Sequence, residues 1–168
     1  YFEEFAKNAD FYEFRSNTPR HYLREGINRI ERMQLENGYF SYWSGSHNIN
    51  NYAFLYAAHF LAEARNKGLE VNETVWNKMQ RRLNQDVLNK FDAKAGYSGR
   101  YRLSHQVYAL YVLALAGNAK ISEMNALLQH HKRKLKPHDR ARLAAAFMLA
   151  GRQSTADELV ADITSIGE

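Results

Sequence analysis

"NYAFLYAAHFLAEA", residues 51–64, is apolar almost all the way round a helical wheel. A helix without a polar face is buried on most sides, so this run belongs inside a protein built of helices. "VYALYVLALA" (107–116) and "LAAAFMLA" (143–150) read the same way. Each run is followed, after a short interval, by a segment with a single apolar stripe. The stripes are Val75, Met79, Leu83 and Val87, then Met124, Leu127, Leu128 and Leu135, then Ala156, Leu159, Val160 and Ile163. Spacings of three and four residues place each set on one helix face. Leu23, Ile27, Ile30 and Gln34 form a further one-sided helix ahead of the first run.

The punctuation agrees with this partition. Gly68, Gly117 and Gly151 follow the three buried runs, where a left-handed residue closes a last helical turn. Ser104 and Ser154 stand where N-caps are wanted, and Ser154 with Asp157 has capping-box spacing. One-sided and buried helices thus alternate along the chain. That order predicts two layers, as in an α/α toroid or a solenoid of helical hairpins. A four-helix bundle would make all its helices equally amphipathic. The expected fold is all-α, about seven helices in alternating inner and outer layers within one domain, 1–168, with toroid and solenoid both open on this pattern. Residues 1–18 are a leading segment and 19–168 the helical hairpins.

Between the first one-sided helix and the first buried one lies "MQLENGYFSYWSGSHN", Met33–Asn48. It carries Tyr39, Phe40, Tyr42 and Trp43 among Gly, Ser and Asn. Such a cluster can be a ligand-stacking platform or a packed connection, and packing is the expected role. Burying one such ring contributes about 1.5–3 kcal/mol, enough to set a turn between layers. If Trp43 is in the core, Trp43→Ala costs about 3–5 kcal/mol. "NGYFSYW" (37–43) is echoed by "AGYSGRY" (95–101), a faint sign of a repeated helix–turn–helix unit with an aromatic turn.

Composition narrows the function classes. The chain has 168 residues, 45% apolar and 24% charged, which suits one soluble globular domain. No run reaches the roughly 18 apolar residues of a membrane span, and no signal peptide opens the chain. It starts at Tyr1 and reads as a piece of something longer. Without cysteine it holds no disulfide, Cys-zinc site or cysteine nucleophile. The net charge is +5, most densely contributed by "HHKRKLKPHDR", residues 130–140. An anionic partner is one reading of that segment. A solvated helix end beside the negative pole of the dipole is the favoured one. No aromatics interleave with the charges, so no nucleic-acid partner is expected.

The seven histidines form neither HExxH nor any other metal spacing. His59, interrupting the apolar run, is expected to be a core histidine satisfied by a backbone carbonyl or by Glu63 one turn on. His105 is expected to be a capping or surface residue. A phosphate-binding glycine loop, a GxSxG elbow and Asp-rich clusters are all missing. No catalytic group, metal or cofactor is expected, and the chain does not read as an enzyme.

"REGINRIERM" followed by "QLENGYF" (24–40) resembles the Gln-x-x-(Asp/Asn)-Gly-aromatic-aromatic turn of α/α-toroid proteins. Terpene cyclases, prenyltransferases and the thioester-containing domains of α2-macroglobulins and complement proteins carry it. "GYFSYWSG" with "NNYAFLYAAHFLAEARNKGLEV" (38–45 and 50–71) is similar to the bacterial α2-macroglobulin segment in particular. So are "HQVYALYVLALAGNAKISEMNALL" (105–128) and "LKPHDRARLAAAFMLAGRQSTADELV" (135–160). The resemblance spans residues 20–162. Its fingerprint residues are Gln34, Gly38, Tyr39, Phe40, Tyr42 and Trp43, with His59 in the following helix.

This resemblance implies a toroid within a large bacterial envelope protein, secreted or membrane-anchored through the parent, that traps or blocks proteases. Proteases and other domains of the parent would be the partners. Thioester-bearing members couple to proteases through Cys-x-Glu-Gln, which this chain lacks. The motif either precedes this piece or is missing from this member. A ring with fewer helices than a full toroid leaves apolar inner helices at an open edge, which Tyr39 and Trp43 are expected to help cover. An α-solenoid interaction module and a toroid enzyme acting on a glycan or isoprenoid are the alternatives. The enzyme would need two or more acidic residues pointing into one cavity.

Overall fold

The structure is a computed structural model and describes residues 18–88 and 99–164. Among these residues the regular elements are α1 (Pro19–Arg32), α2 (Asn51–Asn66), α3 (Glu73–Leu88), α4 (Gly99–Leu115), α5 (Ile121–His131), α6 (Pro137–Leu149) and α7 (Gln153–Thr164), with a 3₁₀ turn at Lys132–Lys134. Among the described residues, extended pairing is limited to two isolated bridges, Gln34 with Phe40 and Ser41 with Ile49.

The layers follow from which faces are apolar. Helices α2, α4 and α6 pack side by side, α2 on α4 and α4 on α6, as an inner layer. Outside them, α1 rests on α2, α3 on α4, α5 on both α4 and α6, and α7 on α6. The seven helices of the described residues, in alternating inner and outer layers, make an incomplete α/α toroid. Small residues allow the inner helices to approach closely: Ala58, Ala62, Ala109, Ala114, Ala144 and Ala146 are all buried. Larger side chains fill the seams, with Phe54, Leu61, Leu110, Leu113, Leu143 and Phe147 at most 1% exposed. From the outer layer come Ile27, Met79, Leu83, Met124 and Leu159, again at most 1% exposed.

The three inner helices end alike. Gly68, Gly117 and Gly151 have φ of 74°, 76° and 72°. The next N–H in each case, from Leu69, Asn118 and Arg152, reaches back to Ala64, Leu113 and Phe147 at 3.0, 2.8 and 2.8 Å. This is the double-bonded helix stop that satisfies the last carbonyls. At the other ends, Thr18 and Asn50 cap α1 and α2 with side-chain oxygens, and Asn72 Oδ1 accepts from the Thr74 and Val75 N–H groups of α3.

Several sequence-based expectations need correction. Ser104 lies inside α4, which begins at Gly99, and bonds to Asp139 instead of capping. Ser154 is likewise within α7. Its proposed box partner Asp157 accepts from Gln153 Nε2 at 2.8 Å, because the helix starts earlier, with the Ala156 N–H on the Arg152 carbonyl. Leu135 is buried but lies beyond α5, after the 3₁₀ turn. Helix α2 is not apolar all round: Tyr52 and Tyr56 are exposed, as are Met148 and Leu149 at the end of α6 and Val160 on α7. The leading segment apart from Thr18, and most of the second aromatic turn at 95–101, fall outside the described residues.

Candidate functional site

The fingerprint turn is a clasp on helix α3. After α1, the chain reverses through Leu35–Tyr39. The Gly38 N–H bonds the Leu35 carbonyl at 3.0 Å and the Leu35 N–H bonds the Tyr39 carbonyl at 2.8 Å. Three of its residues then reach one stripe of α3. Gln34 Nε2 donates to the Val75 carbonyl at 2.8 Å. Gly38, at φ 87°, lies so close to α3 that a Cβ there would stand 2.6 Å from the Lys78 carbonyl oxygen and 3.1 Å from Arg82 Cβ. The Tyr39 hydroxyl donates to Asp86 Oδ1 at 2.9 Å. Positions 75, 78, 82 and 86 recur every three or four residues and so share one face. Arg82 completes the clasp, with Nε 3.0 Å from Asp86 Oδ1 and its guanidinium 4.7 Å over the Tyr39 ring.

The same turn holds its rings in two opposite senses. Tyr39 meets Phe54 edge to face at 4.8 Å, and Phe40, 5% exposed, tilts against Phe54 at 5.8 Å. Tyr42 and Trp43 point away, at 48% and 64% exposure, and touch each other edge to face. The expectation that Trp43 is a packed core ring is therefore wrong. Only the first pair of rings comes before the Ser41–Ile49 bridge, and the chain beyond it turns outward. Covering an open edge of the inner layer is equally not the role of Tyr39, which is committed to α3.

A second polar cluster crosses the inner layer. His59 on α2 has Nδ1 3.0 Å from the Tyr108 hydroxyl on α4, a hydrogen bond whose direction follows the imidazole tautomer. Its Nε2 lies 3.8 Å from Glu63. Tyr108 and Tyr111 present their rings at right angles to the imidazole, at 5.7 and 5.2 Å. Arg142 on α6 sits 4.3 Å over the Tyr108 ring. Burial lowers the pKa of His59, with Arg142 adding to and Glu63 opposing that shift. Burial likewise pushes the Tyr108 hydroxyl up to about 12. The backbone-carbonyl alternative for His59 does not apply, since its second partner is a tyrosine.

His105, expected at a cap or surface, is buried within α4. Burial lowers its pKa against the attraction of Asp139. Ser104 Oγ donates to Asp139 Oδ2 at 2.8 Å, joining α4 to the first turn of α6. The basic segment at 130–140 is mostly exposed. Lys132 pairs with Asp162 at 2.6 Å, and Arg140 bonds the Lys132 carbonyl.

These clusters join helices. The two buried carboxylates among the described residues have different partners, Asp86 in Tyr39 and Arg82, Asp139 in Ser104. No group of three or more His, Cys, Asp or Glu among the described residues could hold a metal ion. No described helix is long and apolar enough to cross a membrane. Sequence reasoning missed Tyr52, Tyr56, Tyr108, Tyr111 and Arg142. The recurrence of Tyr52, Tyr56, His59 and Glu63 on one face of α2 was the available signal.

Comparison with known proteins agrees with the layered helical fold. No family model matches the chain. An alpha-2-macroglobulin of Xylella fastidiosa is 30% identical over 114 residues, 67% of this chain and 7% of the relative. Trypsin-activated alpha-2-macroglobulin of Escherichia coli superposes with a TM-score of 0.76 at 22% identity, over 87% of this chain and 10% of that one. A Salmonella alpha-2-macroglobulin reacted with methylamine gives 0.68 at 23% identity, over 85% and 10%. This chain therefore spans less than a tenth of the curated relative's length. Sequence and fold converge on one assignment: the chain belongs to the bacterial alpha-2-macroglobulin family.

Proposed function

We propose that the chain is a non-enzymatic part of a bacterial envelope protein that traps or inhibits proteases. The carrying observation is the 30% identity to an alpha-2-macroglobulin over two thirds of the chain. In this reading the helical unit is part of the thioester-containing domain and supplies its scaffold. Relatives of this fold are activated by trypsin and by elastase, and one reacts with the small nucleophile methylamine. Having no cysteine, these 168 residues contribute no thioester themselves. The clasp and the inter-helix latches provide a rigid body on which such a group could be carried. Proteases and the parent's other domains are the proposed partners, and the cell envelope the proposed location.

The test uses the full parent protein incubated with trypsin or elastase. The expected result is that digestion of a large protein substrate is suppressed while cleavage of a small chromogenic peptide continues. A parent containing Cys-x-Glu-Gln should also retain the protease covalently, and methylamine pretreatment should abolish that retention. Undiminished digestion of the large substrate at excess parent would refute the proposal.

A further inference from the structure

The turn that joins α5 to α6 carries the densest charge of the chain and stands apart from the clasp. Lys132, Arg133, Lys134 and Lys136 are all exposed. From Met124 to Ala156 the one carboxylate in the sequence is Asp139, which is 1% exposed and holds the Ser104 hydroxyl. Lys132 pairs with Asp162. Arg133, Lys134 and Lys136 enter no ion pair among the described residues.

The turn holds these cations in place. A 3₁₀ turn spans Lys132–Lys134, and the Leu135 N–H bonds the Lys132 carbonyl at 3.3 Å. Leu135, 4% exposed, pins the turn to the core, Pro137 opens α6, and Arg140 also reaches the Lys132 carbonyl, at 3.4 Å. A depression of about 550 Å³, lined by residues 128–134, lies at the same turn. The dipole of α5 favours cations beside its last turn, but Lys136 stands at the N-cap of α6 with no side-chain cap bond, where the opposite pole disfavours a cation. A solvated helix end therefore does not explain the whole cluster. Gathered like charges repel one another unless an anionic partner offsets them.

Composition selects the partner. No aromatic ring lies between His130 and Arg140 to stack a base. Three of the four exposed cations are lysines, point charges without the fork that grips a fixed phosphate. With Leu135 buried, the turn offers charge and no apolar wedge. Such a surface suits many mobile phosphates in one plane, the headgroups of an anionic bilayer.

We propose that the turn at 132–136 is a docking surface for an anionic phospholipid bilayer, with Lys132, Arg133, Lys134 and Lys136 facing the headgroups. This rests on the envelope location proposed above, which puts such a surface within reach.

The experiment measures flotation of the full parent, at limiting lipid, with vesicles of phosphatidylcholine alone and of phosphatidylcholine mixed with phosphatidylglycerol. Any lipid anchor on the parent adds equally to both vesicles, so the difference between them is the readout. Preference for the mixed vesicles, lost at high salt, is expected. Arg133→Gln, Lys134→Gln and Lys136→Gln together should weaken that binding by about five-fold per cation. Arg20→Gln, Arg29→Gln and Lys67→Gln remove the same charge at exposed positions elsewhere and should leave it nearly unchanged. Thermal melts check that both triple variants fold. Equal binding to the two vesicles, an undiminished first variant, or equal losses in both variants would each overturn the proposal. So would single-stranded DNA that binds the parent through this turn while the mixed vesicles do not, which would give the patch to nucleic acid. No protease enters the measurement. A parent that fails to stop trypsin but prefers the mixed vesicles through this turn keeps the docking surface, and one that stops trypsin but shows no preference loses it.

Discussion

The Tyr39 hydroxyl donates to Asp86 Oδ1 at 2.9 Å across 47 positions of sequence. That bond ties the turn after α1 to the last turn of α3 and supplies one of the few donors to a carboxylate only 3% exposed. Removing a donor from a buried acceptor costs more than the net worth of the bond, because the acceptor stays desolvated. Tyr39→Phe is expected to lower the stability of the chain by about 1–3 kcal/mol in urea denaturation. A loss under about 0.5 kcal/mol would mean that Arg82 alone satisfies Asp86.

Gly38 and Gly45 both have positive φ, 87° and 75°, but differ in surroundings. A methyl group at 38 would press on the Lys78 carbonyl, whereas nothing lies within 4 Å at 45. Gly45→Ala should cost only the left-handed backbone term, about 1–2 kcal/mol. Gly38→Ala adds displacement of helix α3 and should cost about 2–5 kcal/mol. Thermal melts of the two variants side by side test the contrast, and equal losses would contradict the close approach.

The two tryptophans provide a third comparison. Trp76 is 6% exposed with Arg65 stacked 4.9 Å over it, so Trp76→Ala should cost about 3–5 kcal/mol. Trp43→Ala in the 168-residue chain should stay within about 0.5 kcal/mol of the parent sequence. A large loss at Trp43 would place that ring back in the core.

Acid should loosen the inner layer. His59 and His105 both have folded pKa values lowered from 6.5, chiefly by burial. The unfolded chain therefore takes up protons at a higher pH than the folded one. Stability is fully present above pH 6.5 and falls as pH drops below it towards the folded pKa values. The groups facing His59 are Glu63 on its own helix, Tyr108 and Tyr111 on α4, and Arg142 on α6. Stability measured from pH 7.5 to 5 should decline, and His59→Gln should shallow the decline. An unchanged slope in that variant would remove His59 as a cause.

The layer order was legible because a period of 3.6 residues and three helix-closing glycines are both written in residue types. Trp43 was not, because a turn has no period to tell inward rings from outward ones. Tyr52 and Tyr56 were concealed by counting tyrosine as apolar, although its hydroxyl lets it face water. The His59–Tyr108 bond joins positions 49 apart, and no local pattern announces such a partner. His105 was placed one turn too near the helix start, because the preceding Ser104 imitates a cap while serving Asp139.

Two contacts of the clasp are made to main-chain oxygens, those of Val75 and Lys78. A carbonyl is present whatever side chain its residue carries. Substitution at 78 should therefore leave this contact intact, while substitution at 34 or 38 cannot be rescued by any compensating change across the interface. In a mutational scan, constraint should fall on one side of the contact only, and paired second-site suppressors should be found for Tyr39–Asp86 but not for Gly38.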